Sequence, residues 1–144
     1  MFTVIVWASD GSPSAEAALP VARGLAERCR ARLILAHVEE VGIGLGGAIA
    51  AGEEDGPRAH RAVLERRVDE LRRDGIDAEL RMATVPVTGV AHEIVELAKE
   101  EHADLLVVGT RGHSPIVGLL VGGVTVRLLS LSPCPVLAVP SQGT

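Results

Sequence analysis

The sequence predicts an α/β fold, a three-layer sandwich with helices on both faces of a parallel sheet. Three observations carry the prediction. Apolar, β-rich runs alternate with amphipathic stretches of helical period along the chain. Most of the apolar runs are continuous, as in strands buried on both faces. The resulting order is β-α-β-α-β-α-β-α-β, and strands separated by helices lie parallel, joined by right-handed crossovers.

"FTVIVWA" (residues 2–8) is the first strand. In "DGSPSAE", Ser12 is a fitting N-cap and Pro13 suits the first helical position. Glu16 falls in the first turn, where the helix dipole favours an acid. Ala18, Ala22, Leu25 and Cys29 then recur at helical spacing to about residue 30. Pro20 stands inside this helix, where proline costs about 3 kcal/mol, so a bend or a later start is expected. "RLILAHV" (32–38) is the second strand, and residues 39–57 read as a long loop rich in glycine, with Glu53, Glu54 and Asp55. Residues 58–74 form a charged amphipathic helix with Leu64, Val68 and Leu71 on one face, closed by Gly75. "DAELRMATV" is the third strand. The helix over 89–102 turns Ala91, Ile94, Val95 and Ala98 inward, and "DLLVVG" (104–109) is the clearest buried strand. "VTVRLLSLS" is a short helix, and "PVLAV" closes the sheet.

Composition narrows the function. At 144 residues, 47% of them hydrophobic, a single globular domain over 1–144 is expected. A net charge of −5 with no basic run argues against a nucleic-acid partner. Cys29 and Cys134 form no CxxC pair and suit free thiols in a reducing compartment. "MFTVIVWASDGS" lacks a basic leader region, and the longest uncharged apolar stretch, 116–126, is far short of the roughly 20 residues of a membrane span. A cytoplasmic protein away from the membrane is expected.

Two glycine clusters compete for the ligand. "GIGLGG" (42–47) has the G-x-G-x-x-G spacing of a dinucleotide fingerprint. That fingerprint belongs in the first β-α turn, where its last glycines open a helix facing a pyrophosphate. Here it follows the second strand, Gly52, Gly56 and Pro57 break the chain after it, and no acidic strand end follows at the right distance. The match is accidental, and the segment reads as a loop.

"GTRGHSPIVGLLVGGVTVRLL" (109–129) begins where a buried strand ends and runs into a helix. Gly109 and Gly112 allow close backbone approach, while Gly122 and Gly123 leave N–H groups free at a helix start, an arrangement suited to phosphate. It is no Walker loop, since the chain's one lysine is Lys99. The competing reading is that these glycines serve turns and tight packing.

The spacing Gly109-x2-Gly112-x9-Gly122 resembles the ATP-binding signature of universal stress proteins, G-x2-G-x9-G-[S/T], and "VWASDGS", "ADLLVVGTRG" and "SPCPVLAVP" agree with that family. The resemblance spans essentially the whole chain. It implies a five-stranded parallel sheet in the order 3-2-1-4-5, with Asp10 and Gly109 flanking one crevice. By position, it implies that Asp10 and Val38 contact adenine or its ribose. Gly109, Gly112, Gly122, Gly123 and Val124 would line the ribose and phosphates through backbone, with ATP, with or without Mg, as ligand and ADP or cyclic AMP as alternatives. It further implies a homodimer through the last strand, Val136–Val139, which otherwise leaves a sheet edge unpaired.

The pattern departs where the family's Ser/Thr is here Gly123, removing a hydroxyl bond to phosphate worth about 1.5–3 kcal/mol. Thr125 either replaces that hydroxyl or bonds a nearby carbonyl at the helix start. Arg111 is either a phosphate clamp or a solvated charge, and Asp10 either a ligand contact or a turn residue. No G-x-S-x-G elbow or H-x-x-x-H pair occurs, so neither catalysis nor a metal is expected; His37 reads as a satisfied buried histidine and His60 as a solvated one. The leading function is a nucleotide-binding regulatory protein. The alternative is a dimeric interaction module that binds no nucleotide, with the loop of residues 42–57 as a contact surface.

Overall fold

Side chains alternate along the strands and divide the core into two halves, one on each face of the sheet. The computed structural model describes residues 1–41, 57–86, 89–110 and 123–141. Its elements are β1 (Val4–Ser9), α1 (Pro13–Cys29), β2 (Arg32–Val41), α2 (Pro57–Arg73), β3 (Ala78–Pro86), α3 (Val90–Glu100), β4 (Leu105–Gly109), α4 (Gly123–Leu131) and β5 (Val136–Val139). All strand pairs are parallel, in the order β3-β2-β1-β4-β5. Connection order reverses between β1 and β4, the expected arrangement.

Ile5 and Trp7 of β1, Leu33 and Leu35 of β2 and Leu105 and Val107 of β4 face Ala18 and Ala22 of α1 and Leu64, Val68 and Leu71 of α2. The intervening residues Val6, Ile34 and Leu106 face Val90, Ile94 and Val95 of α3 and Leu128 of α4. Each helix thus buries the stripe that its apolar spacing marks out.

Element ends differ from the sequence reading in several places, and the following differences bear most on the fold. Helix α1 starts at Pro13 and runs through Pro20, so a later start is not needed. Pro20 lies on the exposed side, where water can reach the carbonyl that lacks its usual donor. Strand β2 continues to Val41 because β3 pairs with it throughout, up to Val41 opposite Pro86. Helix α3 is shorter at both ends than 89–102: Gly89 is its N-cap and Glu101 its C-cap. Helix α4 begins one residue earlier, at Gly123. The GIGLGG stretch lies outside the described residues, but α2 begins only at Pro57, so Gly47 does not open it.

Candidate functional site

The carboxyl ends of β1 and β4 lie side by side at the reversal, and a short network fixes the first of them. Gly11 takes φ 81°, a conformation glycine adopts without strain. Its N–H donates to Ser9 Oγ at 3.1 Å, and the Ser12 N–H donates to Asp10 Oδ1 at 2.8 Å. Ser12 Oγ accepts from the Ala15 N–H at 3.2 Å as the N-cap, and Trp7 Nε1 donates to the Ala15 carbonyl at 2.9 Å. Asp10 therefore does act as a turn residue, through one carboxylate oxygen, at the end of β1.

At the end of β4, glycine is a steric requirement. A Cβ on Gly109 would stand 2.6 Å from the backbone carbon and oxygen of Ser14 on α1. The Gly109 carbonyl accepts a bond from Thr125 Oγ1 at 2.9 Å, and Thr125 is buried. This bond holds the first turn of α4 against the end of β4. It also resolves the two readings of Thr125: its one donor is committed to the Gly109 carbonyl, so it does not replace the missing phosphate hydroxyl in this arrangement. Gly123 opens α4 with no atom within 4 Å of its Cβ position, and Val124 beside it is exposed. The first turn of α4 carries no acidic residue to oppose an anion.

Within β2, Val38 is buried in the core on the α3 side. Pairing between β1 and β2 ends at Ser9 opposite His37, whereas β2 runs on to Val41 beside β3. Among the described residues, the β1-facing edge beyond His37 has no strand partner. Arg111, Gly112 and Gly122 lie outside the described residues.

His37 is buried, as expected, and its Nδ1 lies 2.9 Å from the Ser9 carbonyl. Its Nε2 lies 3.1 Å from Glu39 Oε1. His60, at the start of α2, brings Nδ1 to 3.9 Å from the same oxygen and its ring edge-on to His37 at 5.5 Å. Sequence reasoning missed this group. His37 and Glu39 sit two apart on one strand face, a visible signal, but nothing in the sequence brings His60 to them.

Fold and site together define an open α/β protein of the doubly wound class, whose strand order reverses between β1 and β4 and whose α4 is bonded by its first turn to the end of β4. The universal stress protein family model matches residues 1–140. Universal stress protein YxiE of Bacillus subtilis is 32% identical over 96% of this chain and 99% of its own length. A crystal structure of a universal stress protein in complex with cAMP is similar at TM-score 0.68 and 31% identity, covering 96% of each chain. Universal stress protein UspA from Lactobacillus plantarum superposes at TM-score 0.76 over 95% of this chain and 97% of its own; at 23% identity this shows the fold. The chain belongs to the universal stress protein family.

Proposed function

We propose that this protein binds an adenine nucleotide as a regulatory ligand rather than as a substrate to be consumed. The crevice between β1 and β4 would hold it, with ATP, with or without Mg, as the leading ligand and ADP or cyclic AMP as alternatives. The observation that carries the reading is the 2.9 Å bond from Thr125 to the Gly109 carbonyl. It sets the first turn of α4, the helix end whose N–H groups and partial positive charge suit an anion, beside the strand end where phosphates would lie. The unpartnered edge of β2 beyond His37 supports adenine recognition by backbone near Val38. In this reading Asp10 meets the ribose, and Gly109, Arg111, Gly112, Gly122, Gly123 and Val124 surround the phosphates. The cAMP complex of the 31% identical relative gives further support.

The loss of a hydroxyl at Gly123 predicts weakened phosphate contact and suggests the test. Because the Cβ position of Gly123 is open, Gly123→Ser should fold normally and restore the bond. Calorimetric titration with ATP–Mg, ADP and cyclic AMP should show binding by the native chain. Gly123→Ser should bind ATP roughly 10- to 100-fold more tightly. Absence of nucleotide binding in both proteins would overturn the reading. It would favour the second one, a dimeric interaction module, for which the exposed Val126, Leu129 and Leu131 of α4 and Leu137 of β5 offer apolar surface. In either case we propose a homodimer through β5 and, given two free cysteines, a reducing, cytoplasmic setting.

A further inference from the structure

We propose that His37, Glu39 and His60 form a transition-metal site of which zinc is the best-suited occupant. Their donor atoms lie within 4.8 Å of one another, at the junction of the end of β2 and the first turn of α2. His37 and Glu39 flank Val38 of the proposed nucleotide contacts, but their side chains are not among those contacts and the metal site does not depend on nucleotide binding.

The hydrogen-bond roles lead to a cation. A backbone carbonyl only accepts, so the contact with Ser9 makes His37 Nδ1 the protonated nitrogen and leaves Nε2 with a lone pair in the neutral ring. That lone pair faces Glu39 Oε1 at 3.1 Å, and an ionised carboxylate is also only an acceptor. Two acceptors at this separation need a positive centre between them, either a proton or a metal ion. A carbonyl on the far nitrogen is the same second contact that orients imidazoles toward metals. His37 is 3% exposed, so its ring cannot turn to water for relief.

The spacing suits a small ion. Tetrahedral zinc with bonds of about 2.0–2.1 Å sets its ligands about 3.3 Å apart. The 3.1 Å and 3.9 Å separations here bracket that value. His60 has 43% of its side chain exposed, which gives it room to swing inward and gives an ion a route from solvent. Two imidazoles and a carboxylate favour zinc over magnesium or calcium, which take mostly oxygen, and leave a fourth position for water. Glu39 also supplies the negative charge that offsets a cation's repulsion from the α2 N-terminus. A bound ion would clamp the end of β2 to the start of α2.

The test uses the full chain, free of any affinity tag and stripped by chelator. Titration with zinc should show one equivalent bound, and cobalt should give the visible absorption of a tetrahedral nitrogen–oxygen site. Three variants probe the ligands: His60→Ala at a half-exposed position, Glu39→Gln, and His37→Asn, whose amide can keep the bond to Ser9. Each should weaken zinc binding at least roughly tenfold and abolish the cobalt spectrum. Equal thermal melting of native chain and His60→Ala in chelator would show that lost binding is not lost folding. The proposal fails if the native chain binds zinc no better than His60→Ala. It fails equally if all three variants bind as the native chain does. A native chain that ignores zinc but loses thermal stability on Glu39→Gln would show a shared proton in the metal's place.

Discussion

Gly109 and Gly123 sit in one sequence motif for different physical reasons. Gly109 is confined by Ser14, whose backbone atoms would lie 2.6 Å from an added Cβ. Gly123 has open space and an ordinary φ, so only its lack of a hydroxyl matters there. Gly109→Ala should therefore cost about 1–3 kcal/mol as α1 is pushed from the strand end. Urea denaturation followed by the fluorescence of Trp7, the one tryptophan, measures it. An unchanged midpoint would mean that the start of α1 yields without cost. The spacing of these glycines was legible in the sequence, since it follows the chain. Their separate roles were not, because Ser14 reaches Gly109 only after folding. Thr125 shows the same limit: its two readings were equal until α4 was set against the Gly109 carbonyl.

Among the elements, periodicity was a good guide to cores and a weaker guide to ends. Leu64, Val68 and Leu71 are buried as their spacing implies, and Ser12 caps α1 as its chemistry implies. Helix α2 closes with Gly75 at φ 86°, where Gly75 N–H meets the Arg72 carbonyl and Ile76 N–H the Leu71 carbonyl. Arg30 and His102 make the same left-handed turn after α1 and α3, at φ 54° each. Those two stops were illegible because the residues there are not the usual glycine. At the amino-terminal ends of β1 and β4, Asp104 ties the two strands through the Thr3 N–H and hydroxyl at 2.8 and 2.9 Å and the Val4 N–H at 3.1 Å. Burial pushes its carboxyl upward, but these donors, with its own N–H, outweigh burial and hold it below the ordinary carboxylate range. A depressed folded value contributes stability above the unfolded value, about 3.9, that is lost as pH falls through the folded one. Asp104→Asn should thus cost about 1 kcal/mol at neutral pH and less in acid. Urea midpoints across that range check it, and a pH-independent cost would remove the charge from the explanation.

At the scale of the whole molecule, the order of elements sufficed for the layers, and the resemblance supplied the strand order that the structure bears out. The place of the proposed nucleotide site follows from that order, since the connections reverse between β1 and β4. The His37–Glu39–His60 group did not, because its members come from two elements joined by a long segment. The free edge at β5 leads to the remaining prediction. In the monomer β5 pairs with β4 alone, and its outer backbone groups face no strand among the described residues. An open edge of this kind invites uncontrolled pairing. Here the strand is four residues long, with Pro135 before it and Pro140 after it, so pairing can extend over one short register only. In the proposed homodimer a second copy, antiparallel across a two-fold axis, would meet that register and close the edge. Leu137 projects from the strand as an exposed apolar side chain. Placing an arginine there sets two like charges across the axis and leaves the fold of each copy intact. Sedimentation velocity should therefore give twice the chain mass for the native protein and the single-chain mass for Leu137→Arg. A native chain that sediments as a monomer at every concentration would sink the dimer, and β5 would then be an edge protected by its shortness and its prolines.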